Sequence, residues 1–231
     1  MAIKVMNVAG SEATTQDFLL VNFPVFLAKD AASYAVLQTQ GPLKFLVPSL
    51  NPFDIRFKEG WNILRAMLKS TTNPLIIQYW SMSAFLFGGT ACKFSARPRQ
   101  AASRFTGTDG PDFLRANMAG QLAEAGVTFD FMVQLRTNPK TMPIEDPTVE
   151  WAESESPFIP VETVTIPEQI FDTPEQNAFG ENLSFVPWHC LPEHRPLGGI
   201  NRLRKRVYEA ISKLRHDLNN VVRKEPTDFT I

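Results

Sequence analysis

INRLRKRVYEAISKLRH occupies residues 200–216. The apolar residues Leu203, Val207, Ile211, Leu214, Leu218 and Val221 recur at spacings of four and three, which predicts an amphipathic helix over about residues 201–223. At about 100° per residue, Arg204, Tyr208, Ile211 and Arg215 fall within roughly 60° of one another. One phenol and two guanidinium groups therefore project from one narrow side, at the border of the apolar stripe. Positive charge beside a phenol favours the phenolate. A phenolate is a hard, anionic oxygen ligand suited to ferric iron, and tyrosine is among the axial ligands that haem proteins use. The same arginines suit carboxylates through charge-assisted forks. The bland reading is a packed tyrosine beside a solvated basic face, and spacing alone leaves both readings open.

Upstream, prolines crowd residues 138–200, a density that no long helix survives. The stretch also carries Trp151, Phe158, Phe171, Phe179, Phe185 and Trp188, and aromatics at this frequency argue for burial rather than disorder. It reads as a wrapping arm. The first part of the chain is rich in strand-like runs: AIKVM, FLLVNFPVFLA (18–28), NPLIIQYW and ACKFSA. VTFDFMVQL (127–135) alternates most cleanly, with Val127, Phe129, Phe131, Val133 and Leu135 on one face and Thr128, Asp130 and Gln134 on a wet one. FKEGWNILRAMLKST (57–71) and DFLRANMAGQLAEAG read as amphipathic helices, the second stopped by Gly126. The organisation is thus a β-rich part with inserted helices over 1–137, the arm over 138–200, and the C-terminal helix and tail over 201–231. The fold class is α+β.

A chain of 231 residues can bury a sizeable core, and its 18 phenylalanines predict an aromatic core or a large apolar pocket. A net charge of −1 argues against a surface built for nucleic acid, and the basic run at residues 202–206 reads as a polar helix face. The cysteines, Cys92 and Cys190, are far apart, no secretory leader pattern opens the chain and no apolar run is long enough for a membrane span, so a cytoplasmic protein is expected. His189, Cys190 and His194 look like metal ligands, but structural zinc wants four ligands in paired spacings. Cys190 is also a rival axial ligand, since some haem proteins use a thiolate.

Several stretches together resemble the catalase family. RKRVYEAISKLR is similar to the helix that carries the haem ligand in catalases: an arginine, a tyrosine four residues on, and an arginine seven later. VPWHCLPEHRPLGGINR (186–202) resembles the small, catalase-related branch that includes allene oxide synthase-like proteins. DFLLVNFPVFLAKDAASY (17–34) looks like the distal-side strand and turn, YWSMSAFLFGGTACKFSARP (79–98) like mid-barrel strands, and FDFMVQL with MPIEDPTVEW and FIPVETVTI like the next strand and the threading arm. The likeness runs from Met1 to about His216.

The resemblance implies an antiparallel catalase-type β-barrel, a proline-rich wrapping arm and a C-terminal haem-ligand helix. It implies haem b, with Tyr208 as axial iron ligand, Arg204 hydrogen-bonded to the phenolate and Arg215 on the haem side of the helix. Phe26 matches a distal-pocket phenylalanine, and Tyr34 falls where the family stacks a ring on the haem face. Asn22, next to Val21 at the strict register, is the candidate distal amide. The implied activity is oxidoreduction of hydrogen peroxide or organic hydroperoxides. The alternatives are isomerisation of fatty-acid hydroperoxides, as by allene oxide synthase, and a haem-binding remnant without turnover. The implied partner is a small peroxide or lipid hydroperoxide, and a homo-oligomer is compatible with it. Catalases place a distal histidine upstream of the strand that MAIKVM resembles, whereas the histidines here are His189, His194 and His216, so a chain shortened at that end is expected. In the family mechanism that histidine takes a proton from peroxide and returns it to the leaving oxygen, and positioned acid–base catalysis is worth about 10²–10⁴-fold.

Overall fold

A computed structural model describes residues 1–11, 14–49, 51–100 and 110–228. Strands β1 (Ala2–Val5) and β2 (Gln16–Leu19) form an antiparallel pair. Helix α1 (Ala31–Leu46) follows, started by Asp30, whose side chain accepts from the Ser33 N–H at 2.8 Å, and kinked at Gly41 and Pro42. Helix α2 (Phe57–Met67) leads to β3 (Tyr79–Trp80), β4 (Phe85–Phe87) and β5 (Thr90–Pro98). Helix α3 (Phe113–Glu124) precedes β6 (Val127–Leu135). The arm contains β7 (Ile159–Ile166) and α4 (Pro174–Asn182), and the chain ends in α5 (Gly199–Asn219).

The five strands β3–β7 form one antiparallel sheet in which β5 and β6 are central, β7 lies outside β6, and both β3 and β4 pair with β5. Its first face carries Cys92, Phe94 and Ala96 from β5 and Val127, Phe129, Phe131 and Val133 from β6, all buried. Phe18 packs edge-on against Phe94 and Phe131, with ring centroids 5.1 and 4.8 Å apart, so part of the phenylalanine-rich composition builds this core, while Phe53 and Phe57 are exposed. Period-two alternation places β6 as expected, but its second face is dry at one end. Gln134 is buried, its Nε2 donating to the backbone oxygens of Trp151 and Ser156 at 3.0 and 2.8 Å. The arm lies across that face and supplies carbonyl acceptors that replace water.

Of the expected catalase-type β-barrel no closed form is found: among the described residues the sheet is open. Strand β7 is an edge, largely exposed, with a register shift opposite Phe131 and Met132. Pro160 lacks an N–H, and an edge strand tolerates that. On the opposite side, Ser81–Ala84 interrupts what would be one continuous partner of β5, with Met82 at φ 60°. Helix α3 ends at Glu124 with Ala125 as its cap, before Gly126. The absence of a Cβ at Gly126 answers instead to the end of β7, because a Cβ there would sit 2.7 Å from the Ile166 carbonyl oxygen.

Candidate functional site around Tyr208

Helix α5 begins at Gly198, which holds φ at 85° against the backbone of Ile144. A Cβ at this position would meet the Ile144 oxygen at 2.7 Å, so both the dihedral and the space require glycine. Glu145 then accepts from the Gly199 N–H at 2.8 Å and pairs with Arg202, and these contacts hold its carboxyl below the usual carboxylate range, the Arg202 bond most of all. Gly198→Ala should destabilise the protein by about 1–3 kcal/mol, read from the midpoint of urea denaturation; a midpoint equal to that of the wild type would show that the start of α5 is not held here.

The helix turns an unexpected side inward. Ile200, Asn201, Arg204, Ser212 and His216 are buried, while Val207, Ile211, Leu214 and Leu218 of the apolar stripe are exposed. A polar stripe thus faces the protein, and each of its members is answered. Asn201 is fully buried and receives Ser83 Oγ at 2.9 Å and Arg204 at 3.2 Å on Oδ1, while its Nδ2 donates to the Ala84 and Leu197 oxygens at 2.8 Å each. Ser212 Oγ lies 2.7 Å from Ser184 Oγ, and the His216 ring nitrogens face the Ser212 and Asn182 oxygens at 2.7 and 2.9 Å. The Ser81–Ala84 interruption of the sheet edge is what lets Ser83 and the Ala84 carbonyl reach the helix.

This framework aims Arg204 at Tyr208. Arg204 is 7% exposed; its guanidinium donates to Ser83 Oγ, Asn201 Oδ1 and, at 3.4 Å, the Tyr208 hydroxyl, and its carbon lies 5.2 Å from the tyrosine ring centroid. Among the described residues no carboxylate comes within 4.0 Å of it, so this buried cation has only neutral partners. Tyr208 is half-buried and lines a half-open cleft of about 380 Å³ with Leu19, Phe185, Val207, Ile211 and Arg215. Arg215 donates to the Leu183 oxygen through one terminal nitrogen, while its buried Nε has no partner.

The structure brings Arg204, Tyr208 and Arg215 together, as the helical spacing requires, and leaves the other candidates outside the cleft lining. Asn22 is exposed, and its backbone oxygen receives Lys69 at 3.1 Å. Phe26 and Tyr34 pack on each other, centroids 5.1 Å apart, with Tyr34 receiving Gln38. None of the three histidines lines the cleft. Cys190 is also outside it, and burial pushes its thiol up to about 11, which disfavours a thiolate ligand. His189 faces Asp17 and Glu225 at 3.4 and 3.6 Å, whereas His194 meets Gln16 and stacks on Phe87, so the two do not converge on a shared ion. Asn201 and Ser83, which set the site, had no signature in the sequence beyond the neighbouring glycines.

No known protein-family profile matches the chain, and no curated protein matches it in sequence. Solved structures do. A fungal catalase superposes with a TM-score of 0.69 at 15% identity, covering 93% of this chain and 47% of that one. The fold is catalase-like. Catalase A from Saccharomyces cerevisiae gives a TM-score of 0.63 at 16% identity, over 89% of this chain and 47% of that protein, and a bacterial catalase gives 0.62 at 16%, over 96% and 49%. The chain therefore spans about half the length of these catalases and carries a partial catalase-like fold with an open sheet. No helix among its described residues is long and apolar enough to cross a membrane.

Proposed function

We propose that the chain binds b-type haem through Tyr208 and, so loaded, acts on hydrogen peroxide or an organic hydroperoxide. The observation that carries the reading is the Arg204–Tyr208 pair: a buried arginine with no carboxylate partner among the described residues, 3.4 Å from a phenol that lines an apolar cleft. A buried cation is costly unless it is paired, and a phenolate on iron would be its counter-charge. The orphaned Nε of Arg215 beside the same cleft suits an anionic group at the edge of the cofactor. The donor set present on this side of the site therefore fits the cofactor.

When bound, haem supplies the iron centre at which the peroxide O–O bond is broken. The chain's own contribution is positional. Asn201 and Ser83 hold Arg204, Arg204 orients the phenol, and Leu19, Phe185, Val207 and Ile211 offer an apolar surface beside it. A second reading, haem binding without turnover, is favoured by the fact that among the described residues no histidine lines the cleft.

Titrating the purified chain with hemin and following absorbance should give saturable binding at one equivalent. Non-saturable, adsorption-like binding would remove the proposal. Oxygen release from hydrogen peroxide and loss of diene absorbance from a lipid hydroperoxide, measured on the loaded protein, then separate the substrate classes. Activity in neither assay, with hemin bound, assigns the second reading.

A further inference from the structure

The second face of the sheet holds another cavity, of about 400 Å³, where the arm crosses β5 and β6; Trp80, Lys93, Glu150, Trp151, Glu153 and Phe158 are among the residues that line it. It shares no lining residue with the Tyr208 cleft. Lys93 is 4% exposed, and its amine reaches only the Val149 oxygen, at 3.1 Å, and the Trp151 ring face, at 5.0 Å from the centroid. Among the described residues no carboxylate stands within 4.0 Å of it. Trp151 is 3% exposed, and its indole Nε1 has no acceptor. An indole N–H can only donate, and so can an ammonium. The cavity therefore combines buried donors that lack an acid with aromatic faces.

The nearby charges are engaged elsewhere. Glu150 pairs with Arg65 at 3.2 Å, Asp146 with Lys58 at 3.0 Å and Glu153 with Arg97 at 3.4 Å, while Lys69 lies over the Trp80 ring at 4.7 Å. Burial pushes the Lys93 amine down to about 8, with Glu150 and then Asp146 acting in the opposite direction. At neutral pH the amine is mostly charged, and among the described residues no carboxylate touches it directly.

We propose that this cavity binds a small carboxylate with a flat apolar body, its oxygens taken by the Lys93 ammonium and the Trp151 indole N–H and its body set against Trp80 and Phe158. The charged lysine is the competent form. Affinity is then full from about pH 5, where the acid is ionised, to about pH 8, and falls about tenfold per pH unit above it, and the bound acid in turn raises the lysine's proton affinity.

Benzoate is the probe, titrated into the full chain at pH 7 by calorimetry, with tryptophan fluorescence reporting Trp80 and Trp151. Saturable one-to-one binding is expected, with benzamide, its neutral isostere, weaker by about tenfold or more. Trp151→Phe keeps a ring for the lysine and removes the N–H, and should weaken benzoate by about tenfold. Lys93→Met should abolish binding; should that variant not fold, the pH profile and the benzamide comparison on the wild type decide. Absence of saturable binding, equal affinity for benzoate and benzamide, or a pH-independent affinity between 7 and 9 would each overturn the proposal. Hemin loading should leave every arm unchanged, since the two sites are separate.

Discussion

Asn201→Leu should destabilise the chain by about 3–5 kcal/mol, seen as a large fall in the urea midpoint. The asparagine is fully buried and its amide answers four groups: Ser83 Oγ, Arg204, and the carbonyls of Ala84 and Leu197. Leucine is near in volume but offers none of these contacts. Two carbonyls, a hydroxyl and a guanidinium each lose one contact in a place that water does not reach; the Ala84 oxygen keeps the Leu197 N–H at 2.9 Å and the Ser83 hydroxyl keeps the Ser81 oxygen at 3.3 Å. An unsatisfied buried polar group costs about 1–3 kcal/mol, and more when charged. The guanidinium sets the upper part of the range, since Ser83 and Tyr208 remain as its only side-chain partners. A loss below about 1 kcal/mol would show that the inward polar stripe of α5 does not fasten the helix.

Phe129→Ala should cost a similar amount, about 3–5 kcal/mol, through a different mechanism. Phe129 is 0% exposed, sits in β6 opposite Pro98 of β5 and Val164 of β7, and packs near Tyr79 with centroids 6.4 Å apart. Truncation leaves a cavity that a sheet paired on both sides cannot collapse to fill. The two substitutions separate stability from site geometry. At temperatures where both variants are folded, Phe129→Ala should bind hemin as the wild type does. Asn201→Leu should bind it more weakly, because it releases the arginine that orients Tyr208. Supporting partners of a metal ligand are worth about 10–100-fold in affinity. Equal hemin binding by both variants would detach Asn201 from the site.

The legible part of the fold was the part written in a single period. Strand β6 follows its alternation, and α2, α3 and α5 form close to where the sequence predicts helices, α5 beginning within two residues of its stripe; yet α2 leaves Phe57, Trp61 and Met67 exposed and buries Asn62, and α3 buries Asn117 and Gln121. The face of α5 was misread for a physical reason. Hydropathy sends the apolar stripe inward, but this helix buries Asn201, Arg204, Ser212 and His216, each met by a specific acceptor or donor from a distant segment. Such pairings over long sequence separations leave no local pattern. Helix α1 was hidden by Gly41 and Pro42 inside it, residues that normally end helices, and β7 by Pro160 within a proline-crowded run. The barrel expected from family likeness gave way to an open sheet because β7 ends as an edge and Ser81–Ala84 breaks the other side. In the site, helical spacing alone brought Arg204, Tyr208 and Arg215 together. Asn22, Phe26 and Tyr34 depended on alignment across loops, and they do not line the cleft.

Iron held by a phenolate has a signature that packing cannot imitate. Resonance Raman spectra of the hemin-loaded chain, excited in the phenolate-to-iron charge-transfer band, should show enhanced tyrosinate ring modes, and these should vanish in Tyr208→Phe. Enhanced modes that persist in Tyr208→Phe, or a wild-type spectrum without them while hemin is bound, would contradict the assignment of Tyr208 as the ligand.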